Sequence, residues 1–389
     1  MSVRPAVLLS LLVGALVPRL VAQGTMPAAR SVKDAEARLA TVDSNDARAH
    51  YEAGIAYWAA KRWDDAERAL RLAVQIEPRY PQAWLALGWL RYARRPKLWE
   101  QLRKPRDLPD SLTAVVRESD VLQRRAFVID PLVDLGIMSA VVPHQGRRLV
   151  FGRRLVFVLE SPFDAFRDGH YSTAYFYFNL AIQRASRDSV PPSVLWYAAL
   201  SAAHLSYYDD AIADLQALLA RAERVEQDSI VHVPLRTNDF RYVLALMRLW
   251  AKKPADARSS LEDLATNDVG FYMAHVKLAQ LYGSYEMWSN AVAEGRLAIA
   301  ANPDDPSLLT DLGVLLRQAD SLKESAAVLQ QSMDANPRDP RPPYYLGLTE
   351  LELGRADEAR AAFQRFLAMA PTRDSAEIAE VQRYIIMLR

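Results

Sequence analysis

The sequence predicts an all-α chain, an α-solenoid of stacked antiparallel helix pairs, and three observations predict it. Small residues recur at a fixed offset of thirty-four residues, with Ala245, Ala279, Gly313 and Gly347 in step. Pro303, Pro337 and Pro371 keep the same offset. Each interval holds two segments of about a dozen residues whose apolar side chains recur every three or four positions, the period of a helix and not of a strand. A chain of 389 residues would otherwise imply two or three globular domains, so the repeat decides the architecture.

Each feature of the unit has a physical reason. The small residue lies midway along the first helix, and a second one follows twelve positions later at Ala66, Ala211, Ala257, Ala291 and Ala359, early in the second helix. Small side chains at both places let two backbones approach while the larger residues around them interlock. Proline closes the pair because it lacks an N–H and restricts the residue before it. Gly54 and Gly88 share the spacing near the N-terminus, and Pro78 closes the first of those units.

These residues resemble the tetratricopeptide repeat family. Residues 340–373 match best, with Leu346, Gly347, Gly354, Ala359, Phe363 and Pro371 at the family's marked positions. Residues 47–80 follow, with Gly54, Tyr57, Ala66, Leu70, Ala73 and Pro78. A copy beginning at 81 carries Trp84, Leu87 and Gly88 and then departs from the pattern. Weaker copies lie at 192–225, 238–271, 272–305 and 306–339, where Ser325 replaces the expected Ala and Gly295 replaces a large residue. The resemblance implies a right-handed superhelix whose first helices line a concave surface, and it leaves function open because the repeat hosts many roles.

The remaining segments are read in order. Residues 1–22 have a basic start at Arg4, an apolar run from Ala6 to Val17 that is too short to span a bilayer, and small residues before Gln23, which together predict a secretory signal peptide. Residues 23–46 form a flexible linker and an N-terminal capping helix near 31–44. Residues 47–131 hold the first repeats with a basic insertion, "RRPKLWEQLRKPRDLPD", read as a loop. The second helix of the second repeat is displaced to about Ser111 to Val128. Residues 132–191 form an irregular arm, either a short hairpin or an unstructured excursion, and a degenerate repeat, so the insertions run between about 93 and 165. Residues 192–373 resume the repeats, with a second insertion after Ala222. Residues 374–389 form a capping helix from Ser375, with Ile378, Val381, Ile385 and Leu388 on one side, as the last repeat of a stack requires.

Composition excludes several classes of function. Forty-eight Lys and Arg oppose forty-seven Asp and Glu, so no global field favours nucleic acid. Cysteine is absent, which removes disulfides, thiolate nucleophiles, Cys-based metal sites and a lipoprotein anchor. No pair of the six histidines has the i, i+4 spacing of a zinc protease, and His50 and His275 fall at inward positions of first helices. No phosphate-binding, dinucleotide or nucleophile-elbow motif is present. Neither catalysis nor a cofactor or metal is expected.

Two candidate surfaces remain. Carried over from the family, the groove-facing positions are Tyr51, Trp58, Trp89, Tyr92, Trp196, Tyr242, Trp250 and Tyr344, an aromatic set suited to holding a peptide segment unless the same rings are core. The family's carboxylate clamp needs Lys and Asn where this chain has Tyr51 and Ile55, or Leu85 and Trp89, which argues against a receptor of that type. The second surface is the basic arm, Arg147, Arg148, Arg153 and Arg154, with Arg94, Arg95, Lys97, Arg103 and Lys104, facing either solvent, an acidic partner or anionic lipid heads. The expectation is a non-enzymatic scaffold, periplasmic or secreted, that holds a partner protein in the groove. The alternative is a cell-envelope component acting through its outer surface and the arm.

Overall fold

The computed structural model describes residues 31–40, 44–95, 110–135, 147–151, 155–159, 161–221 and 235–388. The expected signal peptide, the linker before residue 31, most of the basic loop and most of the insertion after Ala222 lie outside the described residues. The rest is helical except for one two-stranded sheet.

The helices follow the repeat. They are α1 Val32–Leu39, α2 Ala47–Ala59, α3 Trp63–Ile76, α4 Pro81–Ala93, α5 Asp110–Ile129, α6 Pro162–Arg167, α7 Tyr171–Ala185, α8 Pro192–His204, α9 Tyr208–Leu219, α10 Thr237–Trp250, α11 Pro254–Asn267, α12 Tyr272–Ser284, α13 Trp288–Ala301, α14 Ser307–Gln318, α15 Leu322–Ala335, α16 Arg341–Glu352, α17 Ala356–Met369 and α18 Ser375–Met387. Consecutive helices pack as adjacent pairs, and Pro78, Pro303, Pro337 and Pro371 each fall two residues beyond a second helix. The small residues do what their size permits. Ala66, Ala211, Ala257, Ala291 and Ala359 are completely buried.

One device, unforeseen in the sequence, turns the chain within most of the pairs. Lys61, Ser206, Lys252, Glu286, Asp320 and Gly354 have φ between 58° and 76°, the left-handed region, and the last four are thirty-four residues apart. In every case this residue's N–H bonds three residues back and the next N–H bonds five residues back, as Glu286 does to Gly283 and Met287 to Tyr282. These are Schellman motifs, which satisfy the last carbonyls of the first helix and reverse the chain into the second. Only one of the six is glycine, so the motif is invisible to a search for glycine stops.

Contacts divide the described residues into two compact units, the first of 31–83 with 261–388 and the second of 84–260. In the first unit, Ala35 of α1 packs with Ala53, Ala56 and Ala69. A Cβ on Gly54 would lie 2.7 Å from Leu70 Cγ, and one on Gly313 2.5 Å from Leu329 Cγ. Gly347 is closer still to the ring of Phe363. At Ser325, where alanine was expected, the hydroxyl donates to the Gly313 carbonyl at 2.8 Å, so the polar atom is satisfied inside the same close contact. Helix α18 covers the last pair, with Val381 buried among Phe363, Phe366 and Tyr344 and with Ile378, Ile385 and Leu388 beside them.

In the second unit the displaced helix keeps its register. Gly54 meets Ala66 and Leu70, whereas Gly88 meets Ser119 and Gln123, both shifted by the same nineteen residues. Ser119 donates to the Gly88 carbonyl at 2.9 Å, repeating the arrangement of Ser325. The insertion therefore lengthens a connection without altering the helix contact. The arm is a hairpin in its described part: β1 Arg147–Phe151 pairs antiparallel with β2 Leu155–Leu159, placing Leu149 opposite Phe157 and Phe151 opposite Leu155. The first helix of the degenerate repeat, not located from sequence, is the short α6, whose N-cap Ser161 accepts from Asp164 N–H.

Candidate functional site

The aromatic residues carried over as groove positions do not form an exposed set. Trp58, Trp89, Tyr92, Trp196, Tyr242 and Tyr344 are buried, none more than 7% exposed. Their partners are core groups. Trp89 packs on Tyr92, Trp196 on Phe240, and Tyr344 on Phe366. First helices in this fold are enclosed by neighbours on most sides, as α8 shows: Leu195 through Ala203 are buried without a break. A ring placed on any face of such a helix becomes core. Only Tyr51 and Trp250 keep partial exposure, and they lie in different units.

The second unit instead presents aromatic side chains on and just before second helices. Tyr207 is 51% exposed and Phe176 61%, with Tyr177 also exposed. The Schellman turn at Ser206 sets Tyr207 as the N-cap of α9, just outside the packed helix, and Tyr208 as its first residue. Tyr175 lies 5.3 Å from Tyr207, and Tyr208 lies 6.1 Å from Trp250 at the end of α10. Polar contacts hold these pieces in place: Tyr175 donates to Asp210 at 2.6 Å, and Lys253 donates to Asp209 at 2.6 Å. Burial first, then the Asp210 contact, pushes the Tyr175 phenol up to about 12, so it stays a donor at neutral pH. The result is an aromatic edge running from α7 across α9 to α10, with rigid rings already positioned for contact.

Arg147 and Arg148 begin β1, opposite Leu159 and Val158. Arg153 and Arg154 lie between the strands, outside the described residues, as do Lys97, Arg103 and Lys104. Arg94 and Arg95 close α4, where Arg95 donates to the Arg91 carbonyl at 3.4 Å.

The described histidines are held by their own surroundings in the fold. His50 is buried, and its Nε2 pairs with the Ser44 carbonyl at 2.8 Å; burial holds its pKa below the usual value. In the first unit an open depression of about 620 Å³ is lined by His275, Glu294, Glu262, Thr266 and apolar residues including Leu278 and Leu297. His275 Nδ1 bonds Glu294 at 2.7 Å, but the only hydroxyl among those lining residues, that of Thr266, donates to the Glu262 carbonyl of its own helix. Among the described residues no group of three His, Asp or Glu could hold a metal ion, and no helix is long and apolar enough to cross a membrane.

Among the described histidines, His204 is displaced furthest from its ordinary value. It stacks on Tyr171 at 3.6 Å and 4°, and burial lowers its pKa to about 4. The unfolded chain takes up this proton near pH 6.5, whereas the folded chain does not until about pH 4. Stability should therefore fall as pH drops from 6.5 towards 4, by about 3 kcal/mol from this group. His204→Phe, which keeps a stacked ring, should remove that part of the slope in urea unfolding curves measured at pH 7 and pH 4.5.

The sequence profile of the tetratricopeptide repeat family matches residues 28–83 and 310–374. Over those two segments the chain matches tetratricopeptide repeats. Repeats of this kind generally mediate contacts between proteins. Among solved structures, the chain is similar to the C-terminal part of a tetratricopeptide repeat protein of Cytophaga hutchinsonii, with 12% identity over 58% of this chain and 86% of that one and a TM-score of 0.48. It is also similar to yeast Tom70, with 13% identity, 92% of each chain covered and a TM-score of 0.42. A tetratricopeptide repeat protein of Parabacteroides merdae shares 12% identity over 88% of this chain and 98% of its own, with a TM-score of 0.36. The search of curated proteins finds no match.

Proposed function

We propose that this tetratricopeptide repeat chain is an exported, non-enzymatic scaffold that holds a segment of a partner protein outside the cytoplasm. The observation that carries the reading is the aromatic edge of the second unit, where Tyr207 is exposed beside Tyr175, Tyr208 lies beside Trp250, and Phe176 and Tyr177 of α7 are exposed as well; in the first unit Tyr285 is also exposed. Exposed aromatic residues with few rotors are the side chains that most often dominate a protein contact. Of the positions first assigned to a groove, Trp250 belongs to this edge, beside Tyr208. Export rests on residues 1–22, with their basic start, short apolar run and small residues.

The test is co-purification from the native compartment after cross-linking, comparing the parent with a Tyr207→Ala, Trp250→Ala double variant and with Ile386→Ala as an exposed control in the first unit. The expected result is at least a tenfold loss of the captured partner for the double variant, from about 1.4 kcal/mol or more of lost contact, with helicity unchanged. Equal capture by all three proteins would refute the assignment of the edge.

A further inference from the structure

In the first unit, residues near the N-terminal repeat meet the last two repeats through loops and helix ends, and the meeting is polar. Arg79, in the loop between α3 and α4, donates to Asp305 at 3.3 Å and to Asp311 at 2.5 Å. Asn336, after α15, donates to the carbonyls of Gln75 at 3.0 Å and Ile76 at 3.4 Å, which end α3. Asn45, ahead of α2, donates to the carbonyls of Arg338 and Met369. Arg373, after α17, pairs with Asp46 at 3.3 Å and with Glu77 at 3.6 Å.

Two of these carboxylates already serve their own side. Asp46 accepts from Arg48 N–H as the N-cap of α2, and Asp305 accepts from Ser307 N–H at the start of α14. Apolar clusters also gather on each side of the seam: Ala35, Ala53, Ala56 and Ala69 on one, and Leu329, Met333, Leu346 and Ala362 on the other. Each half thus has its caps and apolar clusters of its own, and a row of hydrogen bonds and ion pairs joins them across this seam.

We propose that this seam is a clasp, a conformational device that fastens α1–α3 to the last two repeats and that a change of charge can release without unfolding either half. Arg79 is its pin. Its side chain is 18% exposed and faces a fully buried Asp305 carboxylate, so the pair is weakly screened by salt and depends on its own charges. Inverting the charge of Arg79 gathers three carboxylates at one point and drives the halves apart. Asp311, 36% exposed at its side chain and with no capping bond, is the place to restore complementarity.

The chain lacks cysteine, so two labels can be placed without background, at Arg68 on α3 and Lys323 on α15, both exposed and away from the seam. In the full chain, pulsed electron-spin distance measurement should give a single narrow peak. Arg79→Glu should abolish most of that peak while circular dichroism keeps its helical signal, Arg79→Gln should reduce it, and Arg79→Glu with Asp311→Arg should restore it. A peak unchanged in Arg79→Glu overturns the proposal. Loss of helicity together with the peak overturns it as well, since the seam would then belong to the fold's common core, and so does failure of the charge-swapped pair to bring the peak back.

Discussion

Phe363→Ala should lower the local stability of the last repeat by about 3–5 kcal/mol, and the same change should reverse the effect of Gly347→Ala. Phe363 is fully buried in α17, stacks on Tyr384 of the capping helix at 5.4 Å and 10°, and presses its ring against the bare backbone of Gly347. In the native protein a methyl group at Gly347 has no room, because the Phe363 ring fills that space and is held by its stacking on Tyr384. Gly347→Ala alone should therefore cost about 1–3 kcal/mol. Once the ring is gone, the methyl enters empty space and brings the better helix propensity of alanine, so Gly347→Ala becomes neutral or stabilising by up to about 1 kcal/mol. Native-state hydrogen exchange of the α16 and α17 amides reads this change of sign directly. Additive costs in the double variant would mean that the two helices do not touch at this point.

The second large effect lies in the other unit. Arg124 of α5 grips Asp239 of α10 with two hydrogen bonds of 2.8 and 2.7 Å, and the Asp239 side chain is 1% exposed. Asp239 also accepts from Arg236 N–H at 2.7 Å, closing the start of α10. Removing the guanidinium leaves a buried carboxylate with a single backbone donor. Arg124→Leu should cost about 3 kcal/mol, below the full figure for a buried pair because Arg124 itself is one-third exposed. Adding Asp239→Asn should recover most of that loss, since the amide oxygen can still cap the helix and no charge remains to be solvated. Urea unfolding of the four proteins of this cycle measures it, and a double variant no better than Arg124→Leu would show that the charge is not the source of the cost.

The helix pairs were legible because their cause is local: a small residue at a crossing and a proline past a helix end need no knowledge of distant partners. Gly347 with Ala359 and Phe363 can be read from spacing alone. The partner helix of Gly88 was located from its apolar period, but Ser119 and Gln123 as its contact residues were not, because nineteen inserted residues break the spacing while leaving the geometry intact. The aromatic positions failed for a different reason. The expected groove treated first helices as half exposed, yet α8, "PSVLWYAALSAAH", contains no acidic residue, Lys or Arg and is enclosed along its length. That absence of charge was the signal that Trp196 is core. Tyr207 escaped notice because its exposure comes from the left-handed turn at Ser206, a conformation that serine does not announce. The seam was beyond reach altogether, since nothing in a sequence ties Arg79 to Asp305.

The reading of this chain as a partner-holding scaffold is tested most directly by site-specific photo-cross-linking in the native compartment, with the reactive group placed in turn at Phe176, Tyr207 and, as an exposed position in the first unit, Ile386. The expected result is one protein species cross-linked strongly from Phe176 and Tyr207 and weakly or not at all from Ile386. Cross-links absent from both aromatic positions, or equal from all three, would contradict it.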